Sequence, residues 1–176
     1  MNGIEVLVDG FGRIQGTVQE AVAGLTADQL NERLDDAANS IAWLVWHLTR
    51  VQDDHVAEVA DREQVWTAHG FEQRFGLDLP RSATGYGHGD AEVAAVRVDS
   101  PELLLGYYDA VHEQTLEFLK GLTDEDLDRV VDRRWDPPVT LGVRLVSVID
   151  DDAQHVGQAA FVRGVVERRR GGSGPN

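Results

Sequence analysis

From Thr140 to Arg170 the chain returns an apolar residue every third or fourth position, at Leu141, Leu145, Val148, Ala159, Val162 and Val166. That spacing lays the six along one face of a long α-helix, which must find other apolar faces to cover it. The stripe is interrupted in its middle. Asp152 and His155 fill the slots between Val148 and Ala159, and Asp151 and His155 stand four residues apart, roughly 40° around the axis and one turn along it. A helix built for a bundle core thus carries acid and imidazole at the separation where two side chains can grip one ion.

Three further segments have the helical period. Ile4 to Gly24 places Ile4, Leu7, Val8, Phe11, Ile14, Val18 and Val22 on one face, in spite of Gly10, Gly12 and Gly16. Those glycines lower helix stability unless something packs close to them. Ser40 to Ala60 follows, with Asn39 or Ser40 as N-cap and Ile41, Leu44, Leu48, Val51 and His55 tracing a face beside which His47 points to the edge of the core. Ser100 to Gly121 opens with an N-cap serine and a proline at the first helical position, then aligns Leu104, Tyr108, Val111, Thr115, Phe118 and Leu119.

The first and third of these helices are each followed by a related segment, GLTADQLNERL from Gly24 and GLTDEDLDRVV from Gly121. Helix, GLT turn and helix therefore occur in the same order in both halves, and neither half can bury its stripe alone. The expected fold is all-α: a four-helix bundle of two helical hairpins related by a pseudo-two-fold, with a long crossover between the second and third helices. One bundle domain is expected over 1–170 and a frayed tail over 171–176. Asp132 to Thr140 reads as a break, with Pro137 and Pro138 as breakers and Thr140 as the last helix's cap. The crossover, Asp61 to Asp99, loses periodicity but holds Trp66, Phe71, Phe75 and Tyr86, and is expected to be a partly ordered lid or an interface element.

Composition narrows the function. With 31 acidic against 16 basic residues and a net charge of −15, a nucleic acid is a poor partner. No stretch approaches the ~18 consecutive apolar residues that cross a membrane, and the N-terminus has no basic lead-in to an apolar run, so a cytoplasmic protein is expected. There is no cysteine. Any metal must therefore be held by histidine and carboxylate, and any thiol chemistry must use a thiol from outside the chain.

His47, at the middle of the second helix, is a candidate third ligand to the Asp151 and His155 pair, with Asp152 as the rival acid. A histidine on a helix is more often structural than ligating, and a run such as Asp150 to Asp152 is more often a solvated face. Two imidazoles and one carboxylate would leave positions open for water or substrate, as in a catalytic site. His55 reads as a partner behind the ligands or as a core histidine, and His69, His88 and His112 as non-ligands.

The segments SIAWLVWHLTRVQDDH at 40–55, VWTA and RFGL in the crossover, TGYGH at 84–88, RRWDPPVTLGVRLVSVIDDDAQHVGQ at 133–158 and FVRG at 161–164 together resemble the DinB-like four-helix bundles. The likeness is to their actinobacterial branch, which includes the metal-binding domain of mycothiol-dependent maleylpyruvate isomerase and related thiol S-transferases. The resemblance implies a divalent metal, zinc first and nickel or iron as alternatives, on His47, Asp151 and His155. Many relatives have histidine where Asp151 stands, and the isomerase has glutamate. It further implies a mycothiol-type thiol as cosubstrate, a small electrophilic substrate and a homodimer formed through bundle helices. The alternative is a non-catalytic bundle that binds a small ligand or a protein partner, its polar core residues satisfied among themselves. Gln158 and Arg163 match family positions, yet packing or an ion pair explains them equally well.

Overall fold

The fold is a computed structural model that describes residues 1–171. Four long helices dominate it: α1 (Gly3–Val22), α3 (Ile41–Ala60), α7 (Pro101–Lys120) and α8 (Leu141–Gly171). Short elements join them. These are α2 (Ala27–Asn31), the crossover helices α4 (Val65–Ala68), α5 (Phe71–Phe75) and α6 (Asp90–Ala95), a 3-10 turn at Asp124–Asp128, and a two-stranded antiparallel ribbon of β1 (Val130–Asp132) and β2 (Val139–Thr140). The expected all-α four-helix bundle is what forms. Apart from Gly171, which ends α8, the tail expected over 171–176 lies outside the described residues.

All six apolar positions of the α8 stripe are buried, as are Leu7, Phe11, Ile14, Val18 and Val22 of α1. Packing runs from α1 to α7, from α7 to α3, from α3 to α8 and from α8 back to α1. The two long helices of each sequence repeat consequently face each other across the bundle, interleaved with the other pair. Gly10 shows one reason for glycine in α1: a Cβ there would stand 3.0 Å from Cδ1 of Ile149, so the residue sets how closely α1 and α8 approach. Gly12 and Gly16 meet nothing within 4 Å, and nothing in the structure explains them.

Caps define the repeat. Thr26 accepts from Gln29 N at the start of α2, and Thr123 holds the equivalent place before the 3-10 turn, so the second GLT segment winds more tightly than the first. Ser40 caps α3 by accepting from Trp43 N at 3.0 Å. Ser100 occupies the N-cap of α7 but makes no side-chain hydrogen bond there; the proline after it starts the helix.

Two expectations change. Residues 41–50 of α3 are buried on every side, because α7, α8, α2 and the crossover surround the helix, so its apolar surface is not a stripe. The crossover itself is part of the core: Val65, Trp66, Phe71, Phe75, Val93, Val96 and Val98 are buried in it. Polar groups bolt it in place. Asp53 accepts from the backbone N–H groups of Val65 (2.9 Å) and Trp66 (2.8 Å) and from the Tyr107 hydroxyl (2.8 Å). Arg50, fully buried beneath Trp66, donates to the Ala83 carbonyl (3.0 Å) and to Gln64 (2.8 Å). Asn31 exchanges two hydrogen bonds with the backbone of Val98.

Candidate metal centre

The bundle's neighbour relations decide which polar residues meet. Because α3 packs on α8, His47 from the middle of one comes against Asp151 and His155 from the middle of the other, and ligand atoms of the three lie within 4.8 Å of one another. The imidazoles stand edge to face, their centroids 4.5 Å apart at 80°, and Trp43 stacks on His47 at 4.6 Å. His47 is 5% exposed, while Asp151 and His155 are half-buried.

Second contacts orient each ring. Nδ1 of His47 pairs with the Thr84 carbonyl, which can only accept, so that nitrogen carries the proton and Nε2 keeps a free lone pair. Nδ1 of His155 donates to the carbonyl of Asp151 at 2.8 Å and lies 3.3 Å from Oδ2 of the same residue, which again leaves Nε2 free. Metal-bound histidines commonly hold the non-ligating nitrogen in this way. Gly85 lets the loop reach His47: its φ is +97°, and a Cβ on it would overlap Nδ1 of the ring. Arg50 holds the same loop through Ala83.

The electrostatics agree with the geometry. Burial, ahead of other influences, holds His47 below the ordinary imidazole range, so it is neutral and able to ligate. The Asp151 carboxylate, 3.3 Å from the His155 Nδ1 that faces it, holds His155 above that range. Burial pushes Asp151 up, but the close approach and charge of His155 outweigh it and leave the carboxyl lowered, hence ionised. Oδ2 of Asp151 is a buried carboxylate oxygen with no hydrogen-bond donor. A carboxylate oxygen short of a hydrogen bond beside two imidazoles, in a chain without cysteine, fits a borderline divalent cation held by nitrogen and oxygen.

Asp152, the rival acid, points elsewhere. It is fully buried with neither oxygen hydrogen-bonded, it is not in the ligand group, and burial drives its carboxyl well above the usual range. His88 accepts from Nε1 of Trp43 at 3.2 Å, supporting the ring that stacks on His47. His55 receives a hydrogen bond from Arg144 at 2.8 Å. Arg163 donates to the carbonyls of Glu20 and Ala23 at the end of α1, which gives it a packing role.

A cavity of about 540 Å³ opens over the cluster, bordered by His47, Val51, His55, Thr84, Tyr86, Trp135 and Asp151. Its volume is in the range of small-molecule sites. The roles of Thr84, Gly85 and Trp135 do not follow from helix periodicity; the paired glycines of TGYGH are the one sequence signal at the loop.

Among solved structures, the conserved protein of locus from Enterococcus faecalis has the same fold, with a TM-score of 0.88 and 32% identity over 94% of this chain and 98% of that one. No curated protein matches the chain. The family model described as mycothiol-S-transferase matches residues 6–168, a span that includes the cluster and both bundle halves, and the chain belongs to that family.

Proposed function

We propose that the protein is a divalent-metal-dependent S-transferase that moves a low-molecular-weight thiol of the mycothiol type to or from a small electrophile, and that His47, Asp151 and His155 hold the metal. The observation that carries the reading is the convergence of three ligand atoms beside an open cavity, in a member of the mycothiol-S-transferase family. Zinc suits two imidazoles and a carboxylate, with nickel or iron as alternatives.

A divalent ion there would supply Lewis acidity, which makes a thiol a thiolate at neutral pH. The remaining work falls to the chain. Thr84 and Asp151 fix the imidazole tautomers, Trp43 braces the His47 ring, and the Asp151 carboxylate offsets cationic charge. The cavity that His47 and Asp151 border would admit thiol and electrophile beside the ion. Membership of the mycothiol-S-transferase family supports mycothiol as the thiol.

Among the described residues no helix is long and apolar enough to cross a membrane, and the net charge of −15 disfavours nucleic acid. We read the chain as a cytoplasmic homodimer. Exposed Val143, Val146 and Phe161 along α8 support self-association. Elemental analysis of protein prepared without a chelator, followed by a conjugation assay with mycothiol and an electrophilic acceptor, tests the function. Bound metal with catalysed thiol loss is the expected result, and bound metal with no thiol binding would remove the transferase reading while sparing the site.

A further inference from the structure

A second cavity, of about 500 Å³, adjoins the one over the metal cluster, and the two share Asp54, His55 and Trp135 in their linings. The second is the more charged, yet its charges cancel: Asp54, Glu58 and Asp132 stand against Arg62, Arg134 and Arg144. Each guanidinium already faces a carboxylate. Arg134 and Arg144 meet Asp132 at 2.8 and 3.3 Å, Arg144 also meets Glu58 at 3.1 Å, and Arg62 meets Glu117 at 3.4 Å. An anionic ligand would have to break one of these pairs and would approach a chain of net charge −15. A neutral ligand rich in hydroxyls could instead add hydrogen bonds to the pairs where they stand.

Trp135 supplies what the polar groups lack. It sits in the loop between β1 and β2 and is 66% exposed, whereas the other three tryptophans are buried. The loop is held at its base by Asp132, which accepts from the backbone N–H of Arg134 and from its side chain. An indole presented to solvent by a braced loop, at the boundary of two cavities, is a flat apolar face against which the C–H face of a sugar can stack.

The geometry points to the second cavity as a subsite for the neutral, polyhydroxylated part of the thiol, with Trp135 as its stacking residue and the sulfur directed to the His47 side. This rests on the thiol-transfer reading above and makes it more specific. Mycothiol has such a part, an amino sugar joined to inositol with no carboxylate. Glutathione, with two carboxylates, does not fit the balanced charge.

Calorimetry on the zinc-loaded full chain separates the possibilities. Mycothiol is expected to bind at least tenfold more tightly than N-acetylcysteine methylamide, which has the thiol arm alone, and more tightly than glutathione. Trp135→Ala should erase the advantage of mycothiol over N-acetylcysteine methylamide; mycothiol should also shield the exposed tryptophan of the unsubstituted protein from acrylamide quenching. Trp135→Ala binding mycothiol as the unsubstituted protein does, or glutathione binding as tightly as mycothiol, would overturn the subsite while leaving thiol binding intact. If neither mycothiol nor N-acetylcysteine methylamide binds, the thiol-transfer reading falls and the subsite with it.

Discussion

The backbone of Gly85 lies against the imidazole of His47 so closely that no side chain fits between them, and the carbonyl just before it, that of Thr84, accepts a hydrogen bond from His47 Nδ1. Gly85→Ala must both strain a left-handed φ of +97° and push the ring or the loop away. The strain alone is worth about 1–3 kcal/mol. The expected outcome is protein that keeps its helical circular dichroism but loses metal in elemental analysis; full metal retention would show that the Thr84 contact is dispensable.

The three ligand positions should differ from their neighbour Asp152. His47→Ala leaves two protein ligands, both from α8, and Asp151→Ala leaves a dication without its adjacent anion, a loss of a kind that costs about 3–5 kcal/mol when buried. Metal affinity should fall by roughly 100-fold or more in both. Asp152→Ala should retain metal, since Asp152 lies outside the ligand group. Chelator competition on the three variants reads this directly, and loss at Asp152 with retention at Asp151 reverses the assignment.

Metal affinity should depend on pH through His155. Its imidazole is held above the ordinary value of 6.5 by Asp151, so without an ion it still carries a proton at pH values where a free histidine has lost it. The ion must displace that proton, and affinity should rise with pH through and somewhat beyond the usual imidazole range. The same raised value means that, in metal-free protein, the stability the pair contributes is fully present below 6.5 and is lost as pH rises through the folded value. Calorimetry in two buffers of different ionisation heat should reveal proton release on binding; none near neutral pH would count against His155 as a ligand.

Asp53 anchors the crossover, and its loss should be felt as stability. Asp53→Ala orphans the N–H groups of Val65 and Trp66 and leaves the buried Arg50 guanidinium without its nearby carboxylate, 3.7 Å away. Removing one partner of a buried pair costs about 3–5 kcal/mol. Urea denaturation should show a drop of that order, and a change below about 1 kcal/mol would mean that water satisfies the freed groups.

Self-association should appear in sedimentation at micromolar concentration. A dimer that dissociates on Phe161→Glu is the expected result, because Phe161 is among the exposed apolar residues of α8. A strict monomer would refute it.

Particular residues explain what the sequence could and could not convey. The α8 stripe and the face of α1 are legible because a period of 3.6 is written in the order of residues, and the pairing of Asp151 with His155 is legible for the same reason. His47 reaches them only through the packing of α3 on α8, which composition and spacing leave open. Thr84 acts through a backbone carbonyl, which every residue has, so nothing in its side chain marks it. Arg50 and Asp53 are charged residues whose burial no helix period announces, because it is the crossover folding over them that makes them interior. The β1–β2 ribbon has strands of three and two residues, too short for an alternating pattern, and Pro137 and Pro138 between them signal only a break.

The interleaved order of the helices has a consequence for the sequence of events during folding. His47 comes from α3, in the first repeat, and Asp151 and His155 come from α8, in the second. No half of the chain can therefore assemble the cluster alone, and α8, which emerges after α3 during synthesis, carries two of the three proposed ligands. Metal loading would wait on the docking of α8 against α3, and the ion would report that both repeats have arrived.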